Sequence, residues 1–284
     1  MNKCGLGIML TLVIALVASC GGASTRLHVP GNPGQLNNVY DSVVALVKVN
    51  GNRIRGPYCT ATFVSPRLLA TAAHCIPAET RISMGPGITM VVPGAADQSS
   101  VGQSVQFITH RQYDAWRRVA GDEAPIPEYT QATVVGFDGA DDHDVALLEL
   151  AETEPDAEHW LEMRNLEEDP VVVGEEVYSI GMPVGQIWIL TNGIISRIHL
   201  RMNGTIDILH QVRTGPGSSG SSIMDHRARI IAIVSASWGS TRSGSVVGQA
   251  KPISYVQTMI RVLETQREIE ELDSGFVEQS RDAS

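Results

Sequence analysis

Positive charge is scarce in this 284-residue sequence: 21 Lys and Arg stand against 31 Asp and Glu, for a formal net charge of -10. Proteins that grip a phosphate backbone carry clustered Lys and Arg, so the balance argues against a nucleic-acid partner. Aromatic residues are few, at 5%, and cysteine occurs only 4 times. Cys4 and Cys20 lie near the start, whereas Cys59 and Cys75 bracket a segment carrying His74. Long apolar runs are missing too. The run Leu6 to Val17 is shorter than the ~20 residues a membrane-spanning helix requires. With Lys3 before it and Ala18-Ser19 after it, it has the layout of an export signal over residues 1–19.

What is present is a 43% hydrophobic chain with Gly 27 and Pro 14. Its many short Val/Ile-rich runs between turn residues read as an all-β protein able to bury a sizeable core. Val17-Ala18-Ser19-Cys20 resembles the bacterial lipobox, whose cysteine is lipidated and becomes the new N-terminus. That resemblance implies export, with a lipid anchor at Cys20 on a periplasmic or extracellular membrane face. Ordinary secretion and an uncleaved anchor are the alternatives. Residues 20–37, rich in Gly, Pro and Asn, read as a flexible tether.

Strands are expected within 41–50, 59–64, 68–71, 89–92, 104–109, 131–137 and 144–150. A second set is expected at 171–180, 187–198, 206–212, 221–224, 230–237 and 246–251. The polar stretch Arg111 to Tyr129 reads as a surface excursion whose aromatics Tyr113, Trp116 and Tyr129 pack on the domain. The acidic stretch Glu152 to Pro170 reads as a solvated connection between the two sets of strands. From Ile253 through Val256, Met259, Ile260, Val262 and Leu263 the apolar spacing becomes helical. Residues 266–284 read as a charged, partly disordered tail.

Chemistry concentrates in three short stretches. In Gly215-Pro216-Gly217-Ser218-Ser219-Gly220-Ser221-Ser222, Ser219 is framed by Gly217 and Gly220, which lets backbone N–H groups lie open beside its hydroxyl. A serine needs a base, and His74 in Thr71-Ala72-Ala73-His74-Cys75 is the candidate. A buried carboxylate would hold that imidazole in the right tautomer, and Asp144, opening Val145-Ala146-Leu147-Leu148, is the candidate. The rivals are Ser218 and Ser221 for the serine, His143 for the base, and Asp141 and Asp142 for the carboxylate.

TAAHC, DVALL and GPGSSGS, in the order His, Asp, Ser, resemble the chymotrypsin/trypsin-like serine endopeptidases. Ser179-Ile180-Gly181-Met182-Pro183 and Thr191-Asn192-Gly193-Ile194-Ile195-Ser196 are similar to the HtrA branch, and Ser219-Gly220-Ser221 to the Gly-Ser form of glutamyl endopeptidases. The resemblance covers roughly residues 40 to 260. It implies a domain over 38–265 of two six-stranded antiparallel β-barrels, about 38–150 and 171–252, with a C-terminal α-helix. His74 and Asp144 would sit on the first lobe and Ser219 on the second. The backbone N–H groups of Gly217 and Ser219 would form the oxyanion hole. Arg213 and Thr214 would lie on a wall of the S1 pocket, and Ser235 to Ser237 on the strand that pairs with substrate. An arginine at the pocket base would favour an acidic P1 side chain, whereas one turned to solvent would leave a small apolar pocket.

In an oxidising compartment Cys59 and Cys75 would close a small loop behind the histidine, and the resemblance implies the same bridge. A protein or peptide substrate is implied, with no cofactor, no metal and no appended PDZ domain. Two departures stand out. Ser218 replaces the aspartate that precedes the nucleophile in trypsin-like zymogens, and Ser221-Ser222 replaces Gly-Pro. A catalytically silent lipid-anchored binding module and an esterase on the same scaffold are the alternative readings.

Overall fold

The computed structural model describes residues 33–50, 53–85, 88–94, 100–119, 128–139, 143–240 and 245–282. The export signal, Cys20 and most of the tether lie outside these residues, as do Asp141 and Asp142. The chain order is α1 (Pro33–Ser42), β1 (Val43–Asn50), β2 (Arg53–Phe63), β3 (Leu68–Thr71), a 3-10 turn (Ala73–Cys75), β4 (Ala78–Gly85) and β5 (Ile88–Gly94). Then come β6 (Ser104–Thr109), α2 (His110–Val119), β7 (Thr130–Asp138) and β8 (Val145–Leu150). The second half holds β9 (Glu176–Gly181), β10 (Ile189–Leu200), β11 (Ile206–His210), β12 (Ser222–Met224), β13 (Ile230–Ser240), β14 (Ser245–Pro252) and α3 (Ile253–Asp282).

Two closed antiparallel barrels result, ordered β1-β2-β3-β8-β7-β6 and β10-β11-β14-β13-β12-β9. The sequence of β1 explains how they meet. Side chains alternate across a strand. Val44 and Leu46 point into the first barrel with Phe63, Phe107, Ala146 and Leu148. Val43, Ala45 and Val47 face the other way, into a second core shared with Tyr178, Ile180, Met182 and Ile233 of the second barrel and Ile253 and Val256 of α3. Strand β8 divides likewise, with Val145 and Leu147 in the shared core. Both faces are buried, so these strands read as continuous apolar runs. A third cluster, with Ile195, Ile208, Ile223 and Ala250, fills the second barrel. Trp188 adds a polar pin between the lobes, its indole N–H donating to the Val43 carbonyl at 2.9 Å.

Several elements differ from the sequence expectation. Residues 33–37, read as the end of the tether, form the first turns of α1. Pro33 is the first helical residue, where its missing N–H has no partner to lose. The Thr89 to Val92 segment does pair, but in a separate β4–β5 hairpin outside either barrel. The excursion after His110 is helical through Val119; Tyr113 packs on Trp188 with ring centroids 5.5 Å apart, and Trp116 on Tyr113 at 5.6 Å. Tyr129 stays 40% exposed. The tail does not fray at 266, because α3 runs on to Asp282. Its Glu, Gln, Arg and Leu residues are strong helix formers, and Arg267 ties the helix to Glu149 of β8 at 2.6 Å.

The connection Glu152 to Pro170 is not simply solvated. Leu161 N–H donates to Phe63 of the first barrel, and Arg164 N–H to Ile230 of the second. Arg164 is 5% exposed and meets Asp169, Glu175 and Asp225. Arg229 pairs with Asp169 and Asp225 too. Buried carboxylates are tolerated here because two guanidinium groups neutralise them.

Candidate active site

Register brings the histidine and the aspartate together. Thr71 of β3 pairs with Ala146 of β8, so the turn that follows Thr71 and the residue that precedes Val145 share one end of the first barrel. The His74 ring Nδ1 lies 2.9 Å from Asp144 Oδ2 and 3.1 Å from Oδ1. The His74 backbone N–H donates to Oδ1 at 3.0 Å. Asp144 is 2% exposed and adopts φ +48, a left-handed conformation that aspartate tolerates better than most side chains. A carboxylate only accepts, so its contact with Nδ1 assigns the ring proton there and leaves Nε2 as the free base. The Ser235 hydroxyl donates to Asp144 Oδ2.

Ser219 arrives from the second barrel on the loop between β11 and β12, and both barrels hold that loop. Thr60 of β2 donates its N–H to the Ser219 carbonyl at 2.8 Å and its hydroxyl to the Gly217 carbonyl at 2.9 Å. Cys75 Sγ, one residue beyond His74, lies 3.6 Å from the Ser219 carbonyl. From the other side, Gly220 N–H donates to Val234 of β13. Glycine is obligatory at two positions. Gly217 (φ +97) would put a Cβ 2.2 Å from the Met182 carbonyl, and Gly220 (φ +82) one 2.1 Å from the Thr60 carbonyl. Among the described residues no hydrogen bond joins the Ser219 hydroxyl to His74.

Gly217 and Ser219 N–H groups donate to no protein acceptor among the described residues. The Pro216 carbonyl accepts from Val184 N–H at 2.7 Å, and a trans peptide then turns the Gly217 N–H the opposite way. The rival residues are engaged elsewhere. Ser218 is 3% exposed and accepts from Gly215 N–H; Ser221 is fully buried and bonded to Ser179. His143 pairs with Asp138 at 2.6 Å and packs tilted against the Tyr255 ring. Ser219 is the partly accessible serine of the loop.

The cysteines form a disulfide, with Cα atoms 6.0 Å apart, that joins β2 to the His74 turn. Arg213 is exposed, and its carbonyl accepts from Thr191 at 3.3 Å. Thr214 Oγ1 is buried without a hydrogen-bond partner among the described residues. Past Val234, the edge of β13 away from β14 has no strand beside it among the described residues, because β12 pairs only with Ile230 to Ile233. Ser235 and Ser237 lie on that edge, Ser237 exposed. The bond from Ser235 to Asp144, the Thr60 clamp and the Trp188 pin were not anticipated from the sequence. Each links residues far apart in the chain, and no local pattern signals it.

A profile described as a trypsin-like peptidase domain matches residues 59–233, a span that contains His74, Asp144 and Ser219. Among solved structures, the crystal structure of the serine endoprotease from Yersinia pestis is similar at 16% identity and a TM-score of 0.54, over 83% of this chain and 67% of that one. At that identity the likeness is one of fold. No curated protein sequence matches.

Proposed function

The chain belongs to the trypsin-like peptidase family, and from that premise we propose that it is a serine endopeptidase with Ser219 as nucleophile, His74 as base and Asp144 as the group that orients it. The observation that carries this reading is the buried Asp144 bonded to His74 Nδ1 beside a serine loop that Thr60 clamps from the same lobe. Ser219 Oγ attacks the peptide carbonyl while His74 Nε2 takes its proton, then returns it to the leaving amine. Water hydrolyses the acyl-enzyme by the same route. The N–H groups of Gly217 and Ser219 stabilise the oxyanion, a contribution of ~2.7–4 kcal/mol per donor. The open edge of β13 at Ser235 to Ser237 pairs with the substrate backbone as an added strand. With Arg213 at the surface, P1 is a small uncharged side chain near Thr214.

Labelling with a fluorophosphonate probe tests the mechanism. Wild-type protein is expected to label, and Ser219→Ala and His74→Ala to label at least a hundredfold more slowly. Folded wild-type protein that stays unlabelled would move the assignment to a silent binding module.

The export signal and the lipobox at Cys20 support an exported enzyme held to a membrane by its acylated N-terminus, and the Cys59–Cys75 disulfide suits an oxidising compartment. Cys20→Ala is expected to release the protein from membranes; continued sedimentation with them would refute the anchor.

A further inference from the structure

Cys59 Sγ, Cys75 Sγ and a ring nitrogen of His74 all lie within 4.8 Å of one another. Two sulfurs and an imidazole nitrogen are a donor set that zinc prefers. Tetrahedral zinc with Zn–S of about 2.3 Å and Zn–N of about 2.0–2.1 Å sets its ligand atoms roughly 3.5–3.8 Å apart, so small side-chain rotations suffice. We propose that once a dithiol opens the Cys59–Cys75 bond, the two thiolates and His74 Nε2 bind one zinc ion, leaving one coordination position to water.

The electrons and protons balance. The dithiol gives two electrons and two protons to the disulfide and leaves as its own cyclic disulfide. Zinc then displaces the two thiol protons to solvent.

Backbone interactions other than the disulfide keep the ligands in place after reduction. Cys59 is in β2, paired with Leu46 of β1, and Cys75 N–H donates to Ala72 at 3.0 Å within the 3-10 turn. Asp144 already occupies Nδ1, which leaves Nε2 for the metal and supplies the carboxylate that orients a zinc-bound histidine. Both cysteines are buried, and the His74 side chain is 38% exposed, so solvent reaches the site from the imidazole side. The consequence for catalysis rests on the peptidase reading: zinc holds the nitrogen that serves Ser219, so the reduced, metal-loaded enzyme is silent.

The test uses cobalt(II) as a spectroscopic stand-in, added to full-length protein reduced with a phosphine under anaerobic conditions. Thiolate-to-cobalt absorption saturating at one ion per chain, displaced by zinc and absent from the oxidised protein, is expected. His74→Ala should weaken cobalt binding at least tenfold relative to both wild type and His143→Ala. Reduced protein without the thiolate band overturns the proposal. Equal affinity in the His74 and His143 variants overturns it too, since a reduced chain that had lost its fold would behave that way. Fluorophosphonate labelling should be lost in reduced protein with zinc, return with a chelator, and be unaffected by the same zinc in oxidised protein. Oxidised protein that never labels would count against the peptidase reading while leaving the cobalt spectrum, and the site, intact.

Discussion

His210 should make the protein acid-labile in a way that one substitution removes. It lies on β11 with no exposed surface, and among the described residues neither ring nitrogen makes a hydrogen bond of good geometry. Its neighbours across the sheet are Ile195 and Gly248, and a Cβ on Gly248 would fall 2.0 Å from the imidazole Cε1. Burial against this apolar lining pushes its pKa down to about 4, with the nearby Val212 backbone acting in the opposite direction. Between about pH 6.5 and about 4 the unfolded chain binds a proton that the folded one refuses. Stability is therefore full above the unfolded value and falls as pH drops toward the folded one. A gap of about 2.5 pKa units at 1.36 kcal/mol each amounts to ~3 kcal/mol. His210→Leu removes the titration and the two unsatisfied nitrogens together. Near pH 7 the variant should match wild type or exceed it slightly, since an apolar group replaces an orphaned polar one. At pH 4.5 it should be the more stable by roughly 2–3 kcal/mol. Urea midpoints from pH 4.5 to 7.5 report this directly. Carboxylates elsewhere titrate alike in both proteins, so a difference between the two that stays constant with pH would refute the reasoning.

Two further substitutions probe links the sequence did not reveal. Arg164→Met strips the buried Asp225 and Glu175 of one partner and frees the carbonyls of Asp169 and Pro170. A loss of ~3–5 kcal/mol, on the order of 10 °C in calorimetry, is expected, and a loss below about 1 kcal/mol would show that Arg229 suffices alone. Ser235→Ala leaves Asp144 with one donor fewer; kcat on a peptide substrate should fall about tenfold with KM nearly unchanged. A rise in KM alone would mean that the hydroxyl serves the substrate instead.

The double barrel was legible because its strands are short apolar runs between Gly and Pro turns, and because His74, Asp144 and Ser219 each sit in a compact local motif. The elements misread were those whose composition points one way and context another. Pro33 looks like a loop residue until it is seen as the start of a helix. The Glu-rich stretch after 266 looks like a solvated tail, although its residues propagate a helix already nucleated on the shared core. The bonds that tune the site were not legible at all. Ser235 is 91 residues from Asp144, and Thr60 is 157 from Gly217; no periodicity spans such distances.

The helix α3 crosses back to the first barrel, its Met259 against Gly136 and its Arg267 on Glu149. A polypeptide still emerging from the ribosome thus presents imidazole and carboxylate well before the loop that would complete them, and before the strap that fastens one lobe to the other. Under the proposed chemistry such a half-made chain has nothing with which to cut, so its own biosynthetic order keeps the destructive step until the whole domain has closed.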